Sequence, residues 1–113
     1  MLDQLAPRIV LLTAPNSEVA ERLASSLVAA RLAACVSRVP GLISTYRWEG
    51  EVKEDSEFLL LIKTTNGQLA ALEAAVNAQH PYEVPELIAL EPSSVSAPYL
   101  SWLQAAVAEV EKA

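Results

Sequence analysis

The chain has 113 residues, enough for one domain with a real core and too few for two. Its hydrophobic content of 52% excludes disorder for the body of the chain, and the aromatic share of 5% means that Leu, Ile, Val and Ala must build that core. Eight basic residues against fourteen acidic ones leave a net charge of −6, with Arg and Lys scattered singly, so a phosphate-neutralising nucleic-acid surface is not expected.

No apolar run approaches the roughly 20 residues of a membrane span, so no membrane partner is expected. Residues 1–7 lack the basic-then-apolar order of a secretory signal, which makes the cytoplasm the expected compartment. A single cysteine, Cys35, and a single histidine, His80, exclude an intrachain disulfide and a Cys/His zinc cluster within one copy.

In chain order, the continuous apolar run at 8–13 predicts a first strand, closed by Ala14-Pro15-Asn16. Asn16 is placed to cap a helix, with Glu18 against the positive end of its dipole. Val19, Leu23, Leu27 and Ala30 then recur at helical spacing, predicting a helix to about residue 32. A second strand is expected over 34–37, bent at Pro40-Gly41 and continued over 42–48. Glu49-Gly50 turns it into a partner strand over 57–63, giving one long β-hairpin. Thr65 with Gln68 reads as a capping box for a second helix, whose buried stripe is Leu69, Leu72, Ala75 and Val76 and which Pro81 ends. Residues 84–90 predict a fourth strand. A last helix starts near Pro98 and turns Leu100, Leu103, Val107 and Val110 inward.

The order β-α-β-β-α-β plus an extra C-terminal helix defines an α+β, ferredoxin-like sandwich in a single domain spanning 1–113. Two crossover helices cover one sheet face only. Strands with a solvated face alternate apolar and polar residues, yet Ile9, Val10, Leu11 and Leu12 are consecutive, as are the apolar residues of 58–62 and 87–90. Both faces therefore call for burial, at roughly 25 cal/mol per Å² of apolar surface, and oligomerisation is expected.

Several stretches together resemble one family. Thr13-Ala14-Pro15 follows the first strand. Leu32-Ala33-Ala34-Cys35-Val36 precedes Pro40-Gly41, and Ser44, Tyr46, Trp48, Glu49 and Gly50 follow. Glu57 and Lys63-Thr64 lie on the return strand. His80-Pro81-Tyr82-Glu83 leads into Pro85-Glu86-Leu87-Ile88, and Tyr99 and Trp102 open the last helix. This combination is similar to the CutA divalent-cation tolerance family over nearly the whole chain. The resemblance implies a PII-like homotrimer assembled through the sheets and a link to tolerance of divalent metal ions, with copper the associated cation. It implies no enzymatic reaction, and the single histidine gives no basis for a Ser-His-Asp arrangement.

His80 is the first candidate metal ligand, because imidazole suits copper and zinc; its position where the second helix stops suggests an accessible loop edge. The alternative is a histidine bonded to the helix's last carbonyls. Leu12 and Gln79 stand where some members of the family place a cysteine and a second histidine, leaving His80 alone of that set. Cys35 is either a further ligand or a buried thiol among small neighbours. Glu83 and Glu86 follow His80 with carboxylates that hard or borderline cations accept. Tyr46 and Trp48 alternate onto one strand face, to line a cleft between subunits or to fill an interface. Glu57 and Lys63 share a strand face, as an inter-subunit ion pair or as the frame of a polar cleft. Tyr82 and Glu86 are expected at the same inter-subunit cleft or interface.

Overall fold

The structure is a computed structural model that describes residues 2–108; Val110, expected on the last helix's inward stripe, lies outside the described residues. Strand β1 covers Pro7–Ala14, helix α1 Ser17–Ala29, strand β2 Cys35–Trp48, strand β3 Glu51–Thr65, helix α2 Leu69–Gln79, strand β4 Ile88–Leu90 and helix α3 Ala97–Val107. The four strands form one sheet in the order β2-β3-β1-β4, and every neighbouring pair is antiparallel. This is the ferredoxin-like arrangement.

Alternation along the strands decides which residues see the helices. Val10, Leu12 and Ala14 of β1 and Leu60 and Ile62 of β3 point to one face and close against Val19, Ala20, Leu23 and Leu27 of α1 and Leu72 and Val76 of α2. The intervening residues Ile9, Leu11, Leu59 and Leu61 point the other way. There α3 covers one end only, with Leu103 and Tyr99 beside Ile9 and Lys63. Leu11 and Leu61 remain half-buried, and Ile88 of β4, which pairs with Leu11, is 48% exposed. The second apolar face is real, and α3 covers only its end.

The caps show which local signals hold. The Asn16 side chain accepts from the Val19 amide at 2.9 Å, as its position predicts. Helix α1 ends three residues before the predicted boundary, because Arg31 turns left-handed at φ 61°. The Arg31 amide then donates to the Val28 carbonyl and the Leu32 amide to the Leu27 carbonyl, a Schellman end that leaves Ala30 exposed rather than on the buried stripe. The expected Thr65–Gln68 capping box does not form. Thr65 is a buried strand residue, and the Gln68 side chain donates to the Val107 carbonyl at 2.9 Å, tying α3 to the start of α2.

The hairpin is longer than predicted on its return arm, starting at Glu51 rather than residue 57. The exposed polar residues at 51–56 hide the strand from a hydrophobicity reading, but pairing with β2 continues out to Trp48 opposite Glu51. Glu49 and Gly50 both take positive φ (50° and 79°), the two-residue turn whose twist matches the flanking strands. The bend at Pro40-Gly41 is a β-bulge, with the register shifting between Val39 and Leu42. Conversely, β4 is shorter than the expected 84–90: Pro81 and Pro85 cannot donate to a ladder, and residues 81–87 run as an irregular loop.

Leu60 is fully buried between β1 and the helices. Leu60→Ala is expected to lower unfolding stability by about 2–5 kcal/mol, read as a shifted denaturation midpoint at unchanged m-value.

Candidate functional site

A cleft of about 490 Å³ opens on the helix-free face where the hairpin, the end of β1 and the 81–87 loop meet. Its volume lies within the range of small-molecule sites. Strand β2 contributes Ser44, Tyr46 and Trp48, β3 contributes Lys53 and Glu57, and the loop contributes Tyr82, Glu83 and Glu86. The spacing explains the gathering, since alternate residues of each arm share a face and the arms are paired Tyr46 to Lys53 and Leu42 to Glu57.

Glu57 is the buried carboxylate of this cleft. It is only 7% exposed, and a buried carboxylate needs partners to offset its desolvation. Its Oε2 accepts from the Tyr82 hydroxyl at 2.7 Å. Burial and that hydrogen bond to a carboxylate push the Tyr82 phenol well above its ordinary range, because both oppose forming a phenolate beside Glu57. The Tyr46 hydroxyl bonds to Asp55 in the same way, and this bond is the first cause of its raised pKa.

His80 holds Tyr82 in place. The ring is 8% exposed, so it is not the accessible loop edge that its place in the sequence suggests. Its Nδ1 accepts from the Tyr82 amide at 3.1 Å, which makes Nε2 the protonated nitrogen, donating to the Thr13 carbonyl at 2.7 Å. The His80 and Tyr82 rings also pack with centroids 4.7 Å apart and tilted by 55°. One imidazole thus ties the loop to the end of β1 and directs Tyr82 onto Glu57.

Of the residues expected at a cleft, the structure brings together Tyr46, Trp48, Glu57, Tyr82 and Glu86, and Glu83 joins them. Lys63 does not belong. Six residues along β3 from Glu57, roughly 20 Å away at strand rise, it donates to the Ser37 hydroxyl and to Cys35 Sγ at 3.8 Å. A Glu57–Lys63 ion pair is therefore absent within the chain. The Cys35 thiol is half-buried and lies beside Lys63, its cross-strand partner, a cation that nearness in sequence does not reveal. Among the described residues no three His, Cys, Asp or Glu side chains gather as a metal cluster. Leu12 is a core residue, and the Gln79 side chain donates to Ser26 Oγ at 2.9 Å. Lys53 and Asp55 escape a reading by motif. Counting outward from the Glu49-Gly50 turn finds them, since it pairs Tyr46 with Lys53 and Ser44 with Asp55.

The fold and cleft define a ferredoxin-like α+β protein with a polar recess on the sheet face that α1 and α2 leave uncovered. Residues 8–106 match the CutA1 divalent ion tolerance protein family. The divalent-cation tolerance protein CutA of Thermus thermophilus is 53% identical over 96 residues, covering 85% of this chain and 93% of that protein. The chloroplastic CutA protein of Arabidopsis thaliana is 51% identical over 96 residues, 85% of this chain, which spans only 53% of that longer protein. Among solved structures, CutA1 of Oryza sativa superposes with a TM-score of 0.88 at 46% identity, covering 93% of this chain and 97% of that one. A protein described as the periplasmic divalent cation tolerance protein CutA of Archaeoglobus fulgidus also reaches 0.88, at 32% identity over 90% of this chain and 99% of that one. The chain belongs to the CutA1 divalent ion tolerance family. No helix among the described residues is long and apolar enough to cross a membrane.

Tyr82→Phe removes the only donor that the described residues offer the Glu57 carboxylate, and is expected to cost about 1–3 kcal/mol at neutral pH. Because the folded phenol's pKa is raised, its stabilisation is complete below the unfolded value of about 10 and is lost as pH rises through the folded value. Wild-type stability should fall above pH ~10 with a component missing from Tyr82→Phe, checked by denaturant unfolding across the alkaline range.

Proposed function

We propose that this chain acts in the response to divalent metal ions, copper among them, as a cytoplasmic homotrimer with no catalytic reaction of its own. The observation that carries this reading is the match to the CutA1 divalent ion tolerance family across 8–106. Two relatives named for divalent-cation tolerance are 53% and 44% identical over the aligned residues.

The trimer is supported by the helix-free face. Leu61, Leu11 and Ile88 form a row across it, Leu90 pairs with Ile9 in the next, and Ile88 and Leu90 are 48% and 44% exposed. A second copy removes this surface from water with the same chemistry that closes the core, and three is the number that the CutA resemblance implies. Sedimentation at micromolar concentration should give three chains per particle, and Ile88→Arg should give one. A folded wild-type monomer would refute the assembly.

Cation contact at His80 is weak in this reading, since each ring nitrogen already has a partner and Cys35 lies in a separate neighbourhood. Binding at Nδ1 displaces the Tyr82 amide, with Glu83 the nearest carboxylate along the sequence. Calorimetric titration with copper(II) should give a dissociation constant of roughly millimolar order, weakened further in His80→Ala. A sub-micromolar site, or an isotherm unchanged in His80→Ala, would overturn the assignment.

A second reading rests on a separate observation, the 490 Å³ cleft with a buried carboxylate inside it. It makes the protein a PII-like signalling or scaffold trimer that takes a small molecule or partner at that cleft.

A further inference from the structure

We infer that the cleft is a binding site for a small organic monocation, a primary ammonium or guanidinium on a short apolar stem, with Glu57 as its counter-ion. This rests on the ligand-cleft reading and adds the chemistry of the ligand.

The inner end of the site is anionic and incompletely satisfied. Glu57 is 7% exposed. One carboxylate oxygen accepts from Tyr82, while the other takes no hydrogen bond among the described residues and is not sealed in the interior, so it opens to the cleft. A carboxylate removed from bulk water and bonded on one side only favours a positively charged donor on the other. Among the described residues no lysine or arginine takes that place: their side-chain ion pairs are Arg8–Glu91 and Arg38–Glu21. Within the described residues of one chain that oxygen has no cationic partner.

The walls suit an organic cation better than a bare ion. Tyr46 and Trp48 face the cleft from β2, with Tyr82 opposite. The Tyr46 and Tyr82 hydroxyls are both engaged by carboxylates, Asp55 and Glu57, which holds their rings as fixed walls. Aromatic faces attract ammonium and guanidinium groups and cover an apolar stem at the same time. A divalent ion asks instead for six or more oxygen ligands, or for a tight cluster of soft ones, and no three metal-capable side chains gather among the described residues.

The charge along the cleft limits the ligand to one positive group. Glu57, Glu83 and Glu86 outnumber Lys53, the single cation in the lining. Lys53 lies four residues from Glu57 along β3, roughly 13 Å at strand rise, so it stands towards the open end and repels a second cation there.

The test uses the full chain and follows the Trp48 indole resonance during titration with butylammonium, butylguanidinium and butyrate, the last presenting the same stem with the opposite charge. The two cations should give saturable shifts and butyrate none. Glu57→Gln, which keeps an acceptor for Tyr82, should weaken cation binding at least tenfold, and Trp48→Leu at least threefold. Saturation by butyrate with no response to either cation would overturn this inference while leaving a ligand cleft in place. No response to any probe, with the Trp48 indole protected from solvent exchange by a second subunit, would overturn both. Cation binding unchanged in Glu57→Gln would overturn the assignment to Glu57.

Discussion

The structure depends on a mismatch between one sheet and the helices available to cover it. Strands β1 and β3 carry apolar side chains on both faces, and α1 and α2 close only the face built from Val10, Leu12, Leu60 and Ile62. The opposite face keeps Leu11, Leu61 and Ile88 partly in water, with α3 confined to one end around Leu103. Burial there is worth roughly 25 cal/mol per Å², so the same rule that drives the core drives one chain towards another. The cleft follows from this geometry too. Thr13 and Glu57 share the parity of Leu11 and Leu61, and the recess therefore opens on the face that lacks helices.

Much of this was legible in the residues. The Asn16 cap, the α2 stripe, the succession of elements along the chain and the unbroken apolar runs of β1 and β3 each follow from local chemistry. The pairing of Tyr46 with Trp48 on one face follows from alternation. What escaped had a non-local cause. Residues 51–56 look like a polar loop and become a strand because β2 offers a partner edge. Arg31 takes a left-handed conformation usually left to glycine, so no composition signal marks the end of α1. His80 sits before a proline like a surface residue, yet β1 brings the Thr13 carbonyl to it across 67 positions of sequence.

His80 also shows how a histidine in a metal-associated segment can be explained by the fold. Both ring nitrogens are satisfied, one by the backbone amide of Tyr82 and one by the Thr13 carbonyl. The result is a chain of contacts from β1 through the imidazole to Tyr82 and on to Glu57. Each link fixes the next, and the last holds a carboxylate that would otherwise be buried with no donor at all. In this arrangement His80 positions the residues of the cleft, and it reaches a metal ion only by giving up one of those bonds.

The bulge at Pro40-Gly41 decides what the cleft is made of. Before it, Cys35, Ser37 and Val39 pair with Lys63, Leu61 and Leu59, so the odd-numbered residues of β2 look to the helix-free face. One extra residue enters β2 between Val39 and Leu42, and the parity inverts. Beyond it Leu42, Ser44, Tyr46 and Trp48 share that face with Glu57, Asp55 and Lys53. Without the extra residue, Ile43, Thr45 and Arg47 would point into the recess, and Tyr46 and Trp48 would point away from it. Gly41, at φ 83°, supplies the backbone conformation that β-branched residues resist. A single inserted position thus turns an apolar sheet face into an aromatic wall beside a buried carboxylate, and the chemistry of the cleft is set by backbone register before any side chain is chosen.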